Sequence, residues 1–317
     1  MAGEQPADVP GGPLRWAGDP VRVEVPATSA NLGPGFDCLG LALELCDTLV
    51  GEVLPSGLEV LVEGEGADEV PLDDRHLVVR AMRALWATLG EQPPGLRLTC
   101  RNRLPHSRGL GSSSAAIVGG LVLARGLVVD GDQRVDDTEL LHLANELEGH
   151  PDNVAPALLG GLVVSGQADD DVWAQRVPLD PRVAAVVLVP PHGVRTDVAR
   201  GLLPAQVPHA EAAANTGRAA LLVAALAGEP SLLLRGTEDF LHQRQREPAM
   251  PESWALVERL RAAGTPAVIS GAGPTVLAFV VDSVPGQSAV DDLLAQAPDG
   301  WRALFQRPGG AGARVLH

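Results

Sequence analysis

The pattern of hydrophobic and polar positions predicts short strands and helices in irregular alternation. In the first half of the chain, alternation or short apolar runs predict strands over 21–25, 39–45, 58–62, 96–100 and 162–165. Apolar residues at helical spacing predict helices over 77–89, 112–125, 138–147 and 153–159, with Asp137 as the cap of the third. Because the elements show no regular βαβ rhythm, the pattern favours an α+β fold.

The second half of the chain shows the same mixture after a polar, acidic stretch at 167–171. Strands are predicted over 184–189, 268–270, 276–281 and 314–316, and helices over 196–203, 211–227, 254–263 and 290–295. The acidic stretch is predicted to separate two domains, which a length of 317 residues also suggests. The predicted division is a flexible leader over 1–20, an N-terminal domain over 21–168 and a C-terminal domain over 169–317.

Charge and composition exclude several classes of function. The formal net charge of −16 repels nucleic-acid backbones and anionic membranes, so neither is expected as a partner. No apolar run reaches the roughly 18 residues that a membrane-spanning helix needs. The sequence contains no lysine, which excludes Schiff-base chemistry and the lysine of a P-loop. The three widely spaced cysteines, Cys38, Cys46 and Cys100, indicate reduced core residues and hence a cytoplasmic protein.

The strongest local signal for chemistry is a glycine- and serine-rich stretch directly before a predicted helix. It comprises Pro105, His106, Ser107, Arg108, Gly109, Leu110, Gly111, Ser112, Ser113, Ser114 and Ala115. Gly109 and Gly111 permit positive φ and close approach of a ligand, while the first helical turn offers free N–H groups and a positive dipole end. These are the properties of a phosphate-binding loop. A plain turn with a serine cap explains the stretch, taken alone, about equally well.

Two further glycine-rich stretches lie between predicted strands. Residues 26–40 contain several hydrogen-bonding side chains, Asn31 and Asp37 among them, which suit a small polar substrate. Residues 270–276 offer a tight turn and the hydroxyl of Thr275. Each stretch, taken alone, is better explained as a structural turn.

A fourth stretch places two carboxylates at the C-terminal end of a predicted helix. Glu146 and Glu148 lie where the helix dipole disfavours negative charge by roughly 0.3–1 kcal/mol each. A bound cation would reverse that sign, and Mg²⁺ takes one or two carboxylates of this kind while keeping several waters. A solvated helix end in an acidic protein is the competing explanation.

These stretches, in this order, resemble the motifs of the GHMP small-molecule kinases. The matching segments are 26–37 (PATSANLGPGFD), 109–113 (GLGSS), 148–156 (EGHPDNVAP) and 270–275 (SGAGPT). GLGSS identifies only the superfamily, whereas the first and third segments are similar to those of the homoserine kinase family within it. The resemblance implies a two-domain α+β fold, with an N-terminal domain like ribosomal protein S5 domain 2 and a ferredoxin-like C-terminal domain.

The resemblance also implies roles for individual residues. Residues 105–115 would bind the phosphates of ATP, and Ser113 and Glu148 would hold Mg²⁺, with Glu146 as a competitor. The expected substrate-binding residues are Asn31, Asp37, Asp152, Asn153, Arg200 and Arg246, of which Asp37, Asn153 and Arg200 are the expected catalytic residues. Arginine suits the α-carboxylate of an amino acid because it can form two parallel hydrogen bonds. Asp37 is expected to orient the acceptor, since homoserine kinases are thought to need no dedicated base.

The implied reaction is the ATP-dependent phosphorylation of L-homoserine to O-phospho-L-homoserine in threonine biosynthesis. ATP, L-homoserine and Mg²⁺ are the expected ligands, and a homodimer is expected from the family. Positioning and charge neutralisation supply most of the rate of phosphoryl transfer, so the absence of lysine does not exclude it. The alternatives are another GHMP-type kinase acting on a different alcohol and a non-catalytic binding module. A Rossmann oxidoreductase is less well supported, because no acidic residue follows a Gly-x-Gly-x-x-Gly in a βαβ setting.

Overall fold

The computed structural model describes residues 12–169, 171–281 and 288–316. The strands are β1 (Val21–Ala30), β2 (Leu39–Val53), β3 (Gly57–Gly64), β4 (Gly95–Asn102), β5 (Leu162–Ala168), β6 (Asp171–Val177), β7 (Val183–Val189), β8 (Ala267–Ile269), β9 (Val276–Val281), β10 (Arg302–Gln306) and β11 (Arg314–Leu316). The helices are α1 (Leu77–Thr88), α2 (Ser112–Gly126), α3 (Gly131–Arg134), α4 (Asp137–Glu148), α5 (Pro151–Leu159), α6 (Thr196–Gly201), α7 (His209–Ala227), α8 (Leu233–Gly236), α9 (Pro251–Ala262) and α10 (Ser288–Leu294). Two 3₁₀ helices cover Pro230–Leu232 and Arg244–Ala249. Over these residues, no helix is both long and apolar enough to span a bilayer.

The first domain is a seven-stranded sheet covered by helices. Its strand order is β11-β1-β2-β4-β3, and β5 joins β2 and β6 joins β5. The crossover through α1 makes β3 and β4 parallel. Helix α2 is buried along most of its length, because its residues from Ala115 to Ala124 are small or apolar on every side. It therefore packs in the core between the sheet and α1, with its N-terminus directed out of the core.

The second domain has a four-stranded antiparallel sheet of order β10-β7-β9-β8. In chain order the domain runs strand, helices, two strands, helix and strand, which is the ferredoxin-like arrangement. Its own core contains Met250, Leu256 and Ile269. The α+β fold with two domains of the expected types is confirmed.

The division between the domains lies further along the chain than predicted. Strand β6 pairs with β5 from Leu162↔Val177 to Ala168↔Asp171, so the boundary predicted at 168/169 falls inside a hairpin of the first domain. Strand β6 was missed because only Val172 among its residues is fully buried, which leaves little hydrophobic signal. The last strand, β11, also belongs to the first sheet, because it returns to pair with β1.

Two smaller predictions also differ from the structure. The cap of α4 is Asp136 and not Asp137, because Asp136 accepts from the N–H of Glu139 while the Glu139 side chain accepts from the N–H of Asp136. The end of the predicted leader packs against the first domain. Leu14 is buried, and the rings of Trp16 and Trp86 form an edge-to-face pair with their centroids 5.6 Å apart. Residues 1–11 of that leader lie outside the described residues.

The glycine-rich stretches of both domains meet where the two sheets adjoin. Ser270 Oγ donates to the carbonyl of Gly109 at 2.6 Å and lies within hydrogen-bond distance of Ser29 Oγ, at 2.8 Å. A Cβ atom on Gly109 would lie 2.3 Å from the carbonyl oxygen of Ser270, so only glycine allows this approach. Three stretches that are far apart in sequence therefore form one wall.

Candidate active site

The phosphate-loop candidate ends in a helix terminus that no side chain caps. Gly111 is the cap residue of α2, with φ of 68° in the left-handed region, and no serine bonds to the first-turn N–H groups. A Cβ atom on Gly111 would also lie 2.0 Å from Thr28 Oγ1. The plain turn with a serine cap is therefore not what forms. The free N–H groups and the positive end of a 15-residue helix remain available for an anion.

A cavity of about 690 Å³ lies in front of this helix terminus, between the two domains. It is lined by residues of all four motif segments and by both predicted substrate arginines. The lining residues are Asn31, Ser107, Gly109, Gly111, Ser112, Ser113, Ser114, Glu148, His150, Asp152, Asn153, Val194, Thr196, Arg200, Arg246, Gly271, Ala272 and Gly273. Val194 and Thr196 were not among the predicted site residues, although Thr196 begins the segment 196–204 that contains Arg200.

A second cavity of about 830 Å³ lies on the other side of the same loop. The two cavities share Ser107, Ser112 and Ser113. Its walls are mostly aliphatic, with Val25, Leu49, Val70, Pro71, Leu77 and Val78 among them, and its polar lining includes Asp47, Arg75, His76, Asn102 and His106. His106 and the shared serines belong to the predicted stretch 105–115, whereas the other lining residues are scattered between 25 and 116 and no contiguous pattern in the sequence indicated them.

Glu148 rather than Glu146 faces the loop. The hydroxyl of Ser113 donates to both carboxylate oxygens of Glu148, at 2.6 and 2.9 Å, and Ser114 Oγ donates to one of them at 2.9 Å. Glu146 is exposed. Glu148 ends α4, and Gly149 follows it with φ of 95° and turns the chain toward α5. The carboxylate is thereby held beside the serine hydroxyls at the terminus of α2.

The donor set around Glu148 suits Mg²⁺ better than a metal with a full protein shell. Among the described residues, no group of three or more His, Cys, Asp or Glu side chains is placed to hold a metal ion. One carboxylate and the Ser113 hydroxyl are hard oxygen donors, and Mg²⁺ commonly completes such a set with phosphate oxygens and water. The residues present therefore fit a nucleotide-bound Mg²⁺.

Asp37 and Arg200 form an ion pair that joins the two domains. Arg200 donates from Nη2 to Asp37 Oδ1 at 2.7 Å and from Nη1 to Oδ2 at 3.0 Å, a two-pronged geometry. Both side chains are about one-third exposed, at 36% and 35%. The hydrogen bond to Asp37, together with its charge, raises the pKa of Arg200 despite partial burial. Two predicted catalytic residues are thus brought together, each on a different domain.

Asn31 holds Asp37 in place. Its Nδ2 donates to the carbonyl of Gly271 at 2.9 Å, and its Oδ1 accepts from the backbone N–H of Asp37 at 2.9 Å. Asn31 and Asp37 both have left-handed backbones, with φ of 67° and 53°. These are conformations that asparagine and aspartate tolerate better than most residues. The predicted substrate residue Asn31 lines the cavity, and its side chain also fixes the bend that presents Asp37.

Arg246 lies behind this pair and is 1% exposed. Its Nη1 bonds to His242 Nδ1 at 2.9 Å, and its Nε donates to the carbonyl of Ala199 at 3.3 Å. Burial and repulsion by Arg200 lower the pKa of Arg246 to about 10, so it remains a cation at neutral pH. Arg200 and Arg246 both contact the ring of Phe36, at 5.6 and 5.5 Å from its centroid. Two cations are therefore directed toward one region of the cavity.

Helix α5 brings Asp152 and Asn153 to the cavity at its first turn. His150 Nδ1 lies 2.8 Å from Asp152 Oδ1, and Asn153 Oδ1 accepts from Thr28 Oγ1 at 2.8 Å. Burial alone would lower the pKa of His150, but the hydrogen bond and charge of Asp152 raise it overall. His150 was not among the predicted site residues, although its position between two motif residues is a signal that could have included it.

The raised pKa of His150 predicts a stability that decreases with pH. Protonated His150 paired with Asp152 stabilises the fold fully below the unfolded pKa of about 6.5, and this stabilisation is lost as pH rises through the higher folded pKa. The free energy of unfolding lost in His150→Gln should therefore be larger at pH 6 than at pH 9, measured by urea titration. In Asp152→Asn, an NMR titration should give a lower pKa for His150. A pH-independent difference for His150→Gln would contradict the assignment.

Comparisons with known proteins cover most of the chain. Residues 76–161 match the family model for the GHMP kinases N terminal domain, and residues 220–302 match that for the GHMP kinases C terminal. The chain is 55% identical to a homoserine kinase of Streptomyces avermitilis over 93% of this chain and 95% of that protein. It is 56% identical to one of Streptomyces coelicolor over 93% and 94%.

Solved structures of similar proteins have the same fold. A homoserine kinase from Cytophaga hutchinsonii superposes with a TM-score of 0.83 at 26% identity, covering 94% of this chain and 98% of that one. A putative homoserine kinase from Listeria monocytogenes gives 0.73 at 31% identity, with 94% and 99% covered. Mevalonate kinase from L. major, at 17% identity and 0.66 over 91% and 95%, shares the fold.

Proposed function

The chain belongs to the homoserine kinase family of the GHMP kinases, and from that membership we propose how its site is divided between nucleotide and acceptor. The activity is transfer of the γ-phosphoryl group of ATP to the hydroxyl of L-homoserine, giving O-phospho-L-homoserine and ADP. One observation supports the assignment of the two cavities to two different substrates: the uncapped N-terminus of α2 lies between the cavities and lines both. The triphosphate lies on residues 105–115, with the nucleoside on one side and the acceptor on the other.

The second cavity takes the nucleoside. Its aliphatic walls suit the faces of a purine ring, and its shared serines connect it to the phosphate loop. His76 is 5% exposed and lines this cavity, and its Nδ1 has no hydrogen-bond partner among the described residues. A buried polar atom of this kind is stabilised by a ligand that supplies the missing partner. His76 is therefore a nucleoside contact.

The interdomain cavity takes homoserine. The ammonium and carboxylate groups of homoserine have the charges that match the ion pair of Asp37 and Arg200. Asp37 suits the ammonium group, and Arg200 suits the carboxylate through the same two-pronged geometry. Arg246 lines the cavity, and its Nη2 makes no hydrogen bond to any described residue, so it can donate to the carboxylate as well. An uncharged alcohol would leave these groups without a matching partner.

Catalysis follows from positioning and charge neutralisation. Glu148 and Ser113 would hold Mg²⁺, which neutralises negative charge on the phosphates when bound. The termini of α2 and α5 direct N–H groups and positive dipole ends toward the cavity, where charge develops during transfer. Asn153, fixed by Thr28, and Asp152 orient the acceptor hydroxyl for in-line attack. No described side chain needs to act as a dedicated base, because the loose transition state of phosphoryl transfer demands little proton removal.

A coupled ADP-release assay with homoserine, mevalonate, galactose and no acceptor, with and without Mg²⁺, tests the function. We expect release of ADP above background with homoserine and Mg²⁺. Turnover with galactose or with mevalonate should be lower by about 10³-fold or more. Mass spectrometry should identify O-phosphohomoserine as the product. Faster turnover of another alcohol would support the alternative GHMP-type kinase, and binding of ADP without turnover of any acceptor would support a binding module.

Three finer points remain part of the proposal. The product is the expected precursor of threonine, which supports a role in threonine biosynthesis. The reduced cysteines of the sequence support a cytoplasmic location, and the family resemblance supports a homodimer. Gel filtration with light scattering measures the oligomeric state directly.

A further inference from the structure

The floor of the nucleoside cavity contains a buried carboxylate that the phosphoryl-transfer chemistry does not use. Asp47 lies on β2, is 6% exposed and lines this cavity. Its Oδ1 accepts from the backbone N–H groups of Arg103 at 2.5 Å and Leu104 at 3.0 Å. These two residues begin the segment that leads into the phosphate loop. Asp47 therefore anchors the base of that loop through one oxygen.

The other oxygen of Asp47 has no donor. No hydrogen bond reaches Oδ2 from any residue that the structure describes. Burial raises the pKa of Asp47, so the two N–H groups do not repay the cost of placing its charge among aliphatic side chains. A ligand that donates a hydrogen bond to this oxygen would offset part of that cost. The complement of this cavity is a flat apolar ring with a donor at its edge.

We propose that Asp47 determines the base specificity of the enzyme by accepting a hydrogen bond from the exocyclic amino group of adenine through Oδ2. This inference rests on the proposed function, in which the second cavity takes the nucleoside. Adenine presents an amino donor at C6, whereas hypoxanthine and guanine present a carbonyl oxygen there. A carboxylate oxygen placed opposite C6 repels that carbonyl oxygen, so in this position Asp47 attracts adenine and disfavours 6-oxopurines.

The substitution Asp47→Asn separates base reading from loop anchoring. The Asn side chain keeps an oxygen for the two N–H groups and replaces the free oxygen by an NH₂ donor, which suits a 6-oxo group. With homoserine as acceptor, the wild type should prefer ATP to ITP in kcat/KM by about 100-fold or more, and the variant should lose at least about 100-fold of this preference. Asp74→Asn removes an equally negative side chain that is 64% exposed and paired with Arg83, and it should keep the wild-type preference.

Two results would overturn the proposal. If Asp47→Asn lowered kcat/KM for ATP and ITP by the same factor, Asp47 would only anchor the loop. If the wild-type enzyme used the triphosphate of purine riboside, which has hydrogen at C6, as well as ATP but discriminated against 2′-deoxy-ATP, the carboxylate would contact the ribose. The second measurement needs no variant, so it holds even if Asp47→Asn does not fold. Calorimetric binding of ADP and IDP without acceptor keeps this test separate from failure of the activity on homoserine.

Discussion

Glu148→Gln is expected to lower kcat by about 10³-fold, which corresponds to about 4 kcal/mol of transition-state stabilisation. The substitution keeps the size of the side chain and one oxygen that can accept from Ser113 and Ser114, but it removes the negative charge and the second acceptor oxygen. A neutral amide is a far weaker Mg²⁺ ligand than a carboxylate. In the proposed site this leaves only the Ser113 hydroxyl as a protein ligand of Mg²⁺, so charge on the transferred phosphoryl group would be neutralised less well. The unfolding midpoint should stay close to that of the wild type.

Binding of the nucleotide gives a readout that does not depend on turnover. In the wild type, calorimetry should show tighter binding of ADP with Mg²⁺ than without it, and in Glu148→Gln this difference should nearly vanish. Glu146→Gln is the matched control, because Glu146 has the same chemistry two residues earlier and is exposed. The Mg²⁺ dependence should be unchanged in that variant. If the roles of the two variants were reversed, Glu146 would be the metal ligand.

Elements and motifs with local signals could be predicted from the sequence. The bend before α2 could be identified because Gly109, Gly111 and the serines after them are contiguous, and helix α2 because its apolar residues are continuous. Strand β6 could not be predicted, because a hairpin strand with one fully buried residue has no clear hydrophobic pattern. The boundary at 168/169 was wrong for the same reason, since a polar hairpin turn and an interdomain linker have the same composition.

Contacts between distant segments were only partly predictable. The family resemblance implied roles for both Asp37 and Arg200, but the sequence did not indicate that they bond to each other across the domains. Only the part of the nucleoside cavity formed by residues 105–115 was predicted, because Asp47 and His76 lie on separate elements and neither belongs to a motif. The importance of His76 follows from a buried Nδ1 without a hydrogen-bond partner, and that of Asp47 from a cavity position with only one oxygen bonded, and both are properties of the folded chain and not of any segment.

The ion pair between the domains leads to the last prediction. Arg200→Gln is expected to lower kcat/KM for homoserine by about 10³-fold, because loss of one partner from a two-pronged charge pair costs about 2–5 kcal/mol. Affinity for ADP should change little, since Arg200 lines the acceptor cavity and not the nucleoside cavity. Arg195→Gln is the matched control, because Arg195 precedes the same helix and pairs with Asp197 on the surface. This variant should behave as wild type.

Asp37→Asn distinguishes the orienting role from a chemical one. If Asp37 orients the acceptor, the variant keeps wild-type turnover at saturating homoserine while KM rises, since lost positioning of the ammonium weakens binding. A collapse of turnover at unchanged KM would instead make Asp37 a proton acceptor. The double variant with Asp37→Asn and Arg200→Gln should lose less transition-state stabilisation, measured from kcat/KM, than the sum of the two single losses. The reason is that either substitution alone already breaks the ion pair between the two side chains. Strict additivity in kcat/KM would show that Asp37 and Arg200 act on the substrate independently.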